Sequence, residues 1–157
     1  MNINFLLAEM LKSQKLKIAV AESCTGGLIS KLLTDVPGSS DYFYAGLVSY
    51  SNDAKINFLG VDSEIINIFG AVSKECAVAM VSALHNKTEC DICIATTGIA
   101  GPGGGTPSKP VGLVYTAFLI CGKLSFEKLF FKGSRDLIRL QTANFCLNYV
   151  LNACKNG

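Results

Sequence analysis

The residues able to do nucleophilic chemistry fall in three segments. Ser23 and Cys24 open the run Ser23-Cys24-Thr25-Gly26-Gly27, directly after the apolar stretch Lys17 to Glu22; Tyr50 and Lys55 stand five apart; Thr97 ends a third apolar stretch. A hydroxyl or thiol followed by paired glycines at the start of a helix suits attack on a carbonyl, because backbone N–H groups and the positive end of the helix dipole can hold an oxyanion or a phosphate. An ordinary N-cap with glycines permitting close packing would read the same way. His85 is the sole histidine and sits beside Asn86-Lys87 near a helix end, where a solvated position is expected, so a Ser-His-Asp triad has no base to use. Lys55 is the alternative base, since a lysine desolvated in an apolar pocket loses its proton nearer neutral pH; otherwise it is a solvated helix residue. Cys24 is the rival nucleophile, on the expectation that a helix N-terminus lowers its pKa.

Apolar periodicity supplies the elements that must position these groups. A helix is expected over about Asn4 to Gln14, then a strand at Lys17–Glu22, a helix through Leu28 to Leu33, and a break at Pro37-Gly38-Ser39-Ser40. A second strand follows at about Leu47 to Tyr50, and Asn52 and Asp53 are expected to cap a short helix holding Lys55. Asp62-Ser63 caps another. Ser73 starts a longer helix whose Ala77, Met80, Val81 and Leu84 recur at helical spacing, and Asp91 to Thr97 is a third strand. Residues 98–110 hold five glycines and three of the four prolines and must be loop; loops of this length are usually functional. Strands at about Gly112 to Ile120 and Leu124 to Lys132 form an antiparallel hairpin around Cys121-Gly122. A last helix begins near Ser134, with Leu137, Leu140, Phe145, Leu147 and Val150 expected to cover the sheet and Arg135 and Arg139 one turn apart.

Alternating helices and strands with a terminal hairpin predict an α/β/α sandwich. If the first three strands are parallel, Ser23, Tyr50 with Lys55, and Thr97 all follow carboxyl ends of strands, the edge at which open α/β folds bind ligands. The fourth strand runs backwards, so the glycine loop with Lys109 and the segment at Lys132 to Arg135 reach the same edge.

The chain has 157 residues, half of them hydrophobic and 17% charged, which suits one domain, 1–157, with one core. Its net charge of +2 comes from dispersed residues and gives nucleic-acid binding little support. No membrane span or signal-peptide pattern is visible, so a cytoplasmic location is expected. The seven cysteines have scattered spacing and read as reduced thiols; Cys90 and Cys93 form a CxxC with no second pair and no histidine to complete a metal site.

Several motifs, taken in order, resemble the CinA C-terminal domain family: Ala-Glu-Ser-Cys-Thr-Gly-Gly at 21–27, Gly-Ser-Ser at 38–40, Tyr-Ser-Asn-Asp-Ala-Lys at 50–55, Gly-Ala-Val-Ser at 70–73, Thr-Gly-Ile-Ala-Gly-Pro-Gly-Gly at 97–104, Lys-Pro-Val-Gly at 109–112 and Ser-Arg-Asp at 134–136. The resemblance covers nearly the whole chain. It implies a three-layer sandwich on a five-stranded mixed sheet with the fourth strand antiparallel, and hydrolysis of nicotinamide mononucleotide to nicotinate mononucleotide and ammonia without a cofactor. Many members of the family carry a further N-terminal domain, and this chain reads as a stand-alone version. The family is described as using a Ser/Lys pair, which carries over to Lys55 as base and to a serine at 21–27 or 38–40. Ser23 is preferred, because Ser40 precedes the second strand and should lie toward the opposite edge, unless it completes a neighbouring subunit's site. Tyr50 is expected to orient the lysine or pass a proton, and Thr97 to bond the amide. Thr25, Gly26, Gly27, Gly101, Gly103, Gly104 and Lys109 are expected to bind substrate, with Arg135 as phosphate clamp. A small-molecule nucleotide is the expected ligand and a symmetric homodimer the expected assembly. The competing function is a nucleotide-binding or competence- and damage-response interaction module without catalysis; a further possibility is another amidase specificity.

Overall fold

A computed structural model describes residues 2–155. Five strands, β1 (Ile18–Glu22), β2 (Phe43–Val48), β3 (Ile92–Gly98), β4 (Leu113–Ile120) and β5 (Lys123–Phe130), form one sheet in the order β2-β1-β3-β4-β5. β1 pairs in parallel with both β2 and β3, while β4 runs antiparallel to β3 and β5. The helices are α1 (Ile3–Ser13), α2 (Leu28–Thr34), α3 (Asn52–Ala54), α4 (Ser63–Phe69), α5 (Lys74–Thr88) and α6 (Arg135–Lys155).

The central strands alternate large with small residues, and this sorts the two layers. Ile18 and Val20 of β1, Ile92 and Ile94 of β3 and Phe118 of β4 pack under α1, α2 and α6. Ala19, Ala21, Cys93, Ala95 and Ala117 point the other way, where their small side chains admit α5 through Ala77, Met80, Val81 and Leu84. β1 is buried along its whole length, as a central parallel strand must be.

Several boundaries differ from the sequence reading. β2 spans Phe43–Val48 rather than Leu47 to Tyr50, because as an edge strand it alternates half-buried and exposed positions and lacks a continuous apolar run. Tyr50 therefore lies beyond the strand. Ser51, not Asn52 or Asp53, caps α3, its hydroxyl accepting from the Ala54 N–H at 3.0 Å. α6 presents Ile138, Thr142, Ala143, Cys146, Leu147, Val150 and Leu151 to the core, whereas Leu137 and Leu140 are exposed. The four-residue recurrence 138-142-146-150 sets the buried stripe, and the Thr142 hydroxyl folds back onto the Ile138 carbonyl at 2.8 Å, so a polar residue fits inside it. His85 is half-buried, with Nδ1 3.1 Å from the Cys90 carbonyl oxygen, rather than solvated. It serves the end of α5, away from the carboxyl edge of the sheet.

One buried charge organises the turn after β1. Glu22 is fully buried, and its carboxylate accepts from the N–H groups of Gly27, Ile29 and Ser30 at 3.1, 3.0 and 2.8 Å and from the Ser30 hydroxyl at 2.7 Å. It performs the capping that the Gly27 N-cap lacks a side chain to do. Charge-assisted bonds are the strong kind, and removing the acceptor strands four donors. Glu22→Ala is expected to lower stability by about 3 kcal/mol and Glu22→Gln by less, read from urea midpoints at unchanged slope. An alanine variant within about 0.5 kcal/mol of the parent would show that water replaces the carboxylate freely.

Candidate active site

Ser23 follows the last residue of β1, and its N–H continues the ladder by donating to the Thr96 carbonyl at 3.1 Å. Its side chain therefore emerges at the carboxyl edge of the parallel strands, with 7% of the residue exposed. Lys55 comes from the short helix after β2. Helical side chains lean toward the N-terminus, so Lys55 reaches back over the chain that precedes it. A wide turn at Lys55–Leu59, closed by the N–H groups of Gly60 and Val61 on the Lys55 carbonyl at 3.0 and 2.9 Å, carries the backbone on from there.

Lys55 is only 1% exposed. Its Nζ lies 2.9 Å from Ser23 Oγ, 3.1 Å from the Ser49 carbonyl oxygen and 3.2 Å from that of Tyr50. Among the described residues no carboxylate comes within ion-pair distance of this amine. Burial without a counter-ion pushes its pKa below the ordinary lysine value. A neutral amine fits the three contacts: its two N–H bonds go to the carbonyls of Ser49 and Tyr50, leaving the lone pair for the Ser23 hydroxyl.

Cys24 goes the other way. Desolvation pushes its thiol up to about 12, so the expectation of a lowered pKa fails. The helix dipole cannot activate it, because the α2 N-terminus is already occupied by the Glu22 carboxylate.

The same carboxylate corrects the roles expected of the paired glycines. The Gly27 N–H is spent on Glu22 and that of Gly26 on the Ser23 carbonyl at 3.0 Å, so neither faces a ligand. Their positive φ, 55° and 96°, is what lets the chain fold over Glu22. Thr25 is buried with its hydroxyl 2.9 Å from that of Thr96, and is not part of the cleft lining. The N–H groups of Cys24 and Thr25, by contrast, donate to no group among the described residues.

The cleft over Ser23 and Lys55 encloses about 270 Å³ and is walled by Tyr50, Asn52, Ala71, Val72, Thr97 and the 98–104 loop, with Arg135 at its mouth. Thr97 is buried and its hydroxyl donates to the Ala71 carbonyl at 2.7 Å, which leaves it only lone pairs for a ligand. The Tyr50 hydroxyl accepts from Arg135 Nη2 at 2.7 Å, so the contact of Tyr50 with the lysine is made by its carbonyl. Arg135 also donates through Nη1 to the Gly101 carbonyl at 2.8 Å, tying the glycine loop to the Tyr50 side of the cleft and keeping other guanidinium N–H groups unspent. Gly101, Gly103 and Gly104 line the cleft, and the N–H groups of residues 100, 101, 103, 104 and 105 make no bond among the described residues. At Gly101 a Cβ would come within 2.5 Å of the Val111 side chain, so the loop can close only on glycine there.

Lys109 does not reach the cleft. Its ammonium donates to the Phe69 carbonyl at 2.8 Å, where the end of α4 attracts a cation. Ser40 is exposed in the single turn Ser39–Asp41 before β2, at the edge opposite Ser23 within this chain. Asn52 lines the cleft and Glu22 builds the turn beneath it, yet neither stands out by residue type; both lie inside the motifs at 50–55 and 21–27, which is the signal the sequence offers for them. Among the described residues no group of three or more His, Cys, Asp or Glu side chains could hold a metal ion, and no helix is long and apolar enough to cross a membrane. None of the seven cysteines is disulfide-bonded.

Comparison with known proteins gives the family. A putative competence-damage inducible protein of Clostridium beijerinckii is 49% identical over 140 residues, covering 89% of this chain and 34% of that protein. A CinA-like protein of Dictyoglomus thermophilum is 46% identical over 151 residues, covering 96% of this chain and 37% of its own length. The chain thus spans about a third of the length of these curated relatives. Among solved structures, a CinA superfamily protein of Klebsiella pneumoniae matches with a TM-score of 0.93 at 28% identity over 100% of both chains. A competence/damage-inducible protein of Agrobacterium tumefaciens matches at 0.90 and 39% identity, covering 96% of this chain and 95% of that one. The sequence model of the CinA C-terminal domain spans residues 2–154, nearly the whole chain, and the protein belongs to that family.

Proposed function

We propose that this domain hydrolyses the carboxamide of nicotinamide mononucleotide, giving nicotinate mononucleotide and ammonia. The observation that carries the reading is the Lys55 amine, buried without a counter-ion and 2.9 Å from Ser23 Oγ. An amine so placed is a general base, and a hydroxyl so placed is an activated nucleophile.

In the first half-reaction Lys55 takes the Ser23 proton as Oγ bonds to the carboxamide carbon. The resulting oxyanion is met by free N–H groups such as that of Cys24, the residue after the nucleophile. Collapse breaks the C–N bond; the Lys55 ammonium returns the proton to the leaving nitrogen, and ammonia departs from an acyl-serine ester. Water then attacks this ester with Lys55 again as base, releasing the carboxylate and restoring Ser23. Thr97, whose own proton is held by Ala71, accepts from the carboxamide NH2. Arg135 and the unspent N–H groups of the 100–105 loop suit the phosphate. A pyridinium ring also favours this base, since its positive charge disfavours an ammonium beside it. The domain is proposed to work in the cytoplasm, within pyridine-nucleotide recycling, and as a homodimer.

Ammonia release from nicotinamide mononucleotide by the purified protein tests the reading. Ser23→Ala and Lys55→Met are each expected to lose more than about a thousandfold in turnover, while Ser40→Ala stays within about threefold of the parent. Tight nucleotide binding without ammonia would replace the enzyme by a binding module. A Ser40→Ala collapse would move the nucleophile to a site completed by another copy.

The pH profile follows from the direction of the Lys55 shift. The base works only when uncharged, so log kcat/KM is expected to rise with unit slope as pH increases and to level off once Lys55 has lost its proton, below the ordinary lysine range. A rate falling over the same interval, or rising only where surface lysines titrate, would exclude Lys55 as the base.

A further inference from the structure

Arg139 takes no part in the steps above, yet its guanidinium is spent in an unusual way. It lies one turn along α6 from Arg135, and it does not line the cleft. Nε donates to the Cys24 carbonyl at 3.2 Å and Nη2 to the Thr25 carbonyl at 2.8 Å. The one carboxylate within ion-pair distance of it among the described residues is that of Asp136, at 4.0 Å on its own helix, with a side chain 94% exposed. A partly buried arginine would ordinarily pair with a carboxylate. This one directs its charge at two successive peptide groups, Cys24–Thr25 and Thr25–Gly26, in the turn that follows the proposed nucleophile.

The peptide plane transmits that grip. A trans peptide holds its C=O and N–H antiparallel, so fixing the Cys24 carbonyl against the guanidinium turns the Thr25 N–H away from it. The Ser23 carbonyl is likewise fixed, by the Gly26 N–H at 3.0 Å, which opposes the Cys24 N–H to that contact. From Ser23 to Ser30, every amide N–H is committed to Thr96, to a turn carbonyl or to Glu22, except those of Cys24 and Thr25. A cation on the carbonyl side of a peptide also polarises it and makes its N–H a better donor. The close approach is visible in the backbone: a Cβ at Gly26 would lie 3.2 Å from Arg139 Nη2.

We infer that Arg139 is a positioning residue for the oxyanion hole: its grip on the Thr25 carbonyl sets and polarises the Gly26 N–H of that peptide, which holds the Ser23 carbonyl, so that the Cys24 N–H of the Ser23–Cys24 peptide is set to receive the negative oxygen of the tetrahedral intermediate. The inference rests on the amidohydrolase reading above. It assigns Arg139 to the transition state alone, whereas Arg135 at the mouth of the cleft acts on bound substrate. Lysine is a poor substitute, because its donors share one nitrogen and lack the planar fork in which Nε and Nη2 each meet a separate carbonyl.

Steady-state kinetics of Arg139→Lys and Arg139→Met with nicotinamide mononucleotide, beside Ser23→Ala, test it. Both arginine variants are expected to lose about 10- to 100-fold in kcat with KM within about twofold of the parent. An analogue carrying a boronic acid in place of the carboxamide, which Ser23 Oγ would convert to a tetrahedral anion, should lose affinity in proportion to kcat. Guanidinium chloride below denaturing concentration should restore part of the kcat of Arg139→Met but none of that of Ser23→Ala. A merely structural arginine would give a different pattern: a lowered melting temperature with kcat per folded molecule unchanged, or a raised KM at constant kcat, and either result overturns the inference. If Ser23→Ala is inactive while the Arg139 variants retain kcat, only this inference fails; if Ser23→Ala retains turnover, the amidohydrolase mechanism itself fails.

Discussion

The site depends on an amine held in the protein interior without a counter-charge. Lys55 has carbonyl and hydroxyl oxygens around it and no carboxylate, so the charged form is penalised by desolvation and gains nothing from pairing. Much of the local architecture serves that condition. Ser51 caps the short helix that delivers the lysine, the wide turn behind it closes on the Lys55 carbonyl, and the carbonyls of Ser49 and Tyr50, just past the end of β2, fix where the amine stops.

A carboxylate does lie next to Ser23 in sequence, but the fold turns it away. Glu22 is consumed by four donors at the start of α2 and so is not spent on Lys55. This one disposition has two consequences. It removes the acid that would keep the lysine charged, and it removes the helix N-terminus from the list of anion-binding groups. The free N–H groups left at the cleft are those of Cys24 and of the glycine loop. Two arginines one turn apart on α6 hold those two pieces of backbone, Arg139 the turn and Arg135 the loop.

The fold was largely legible from the sequence because its signals are local. The alternation of Ile and Val with Ala and Cys in β1 and β3, the 77-80-81-84 spacing of α5 and the glycines and prolines at 98–110 each determine an element without reference to the rest. The misplaced elements are those whose pattern depends on neighbours. β2 is an edge strand with weak alternation, and the buried stripe of α6 includes Thr142, which is tolerated only through its bond to Ile138. At the site, Ser23, Lys55, Thr97 and Arg135 could be placed from topology, since all follow carboxyl ends of strands or enter from the hairpin. The destinations of hydrogen bonds could not. Nothing in Glu22-Ser-Cys-Thr-Gly-Gly27 says that the glutamate will occupy the helix start and take the Gly27 N–H, that the Gly26 N–H will turn to the Ser23 carbonyl, or that burial will raise the Cys24 thiol. Lys109 fails as a site residue for the same reason: its range includes the end of α4, a stronger attraction than an open cleft.

The charge state of Lys55 can be measured directly by 15N NMR of protein labelled at lysine Nζ, titrated across pH, with Lys55→Met identifying the resonance. The account requires that resonance to titrate below the ordinary lysine range. A Lys55 signal that keeps its charge to the same pH as a solvated lysine would contradict the central claim, whatever the activity proves to be.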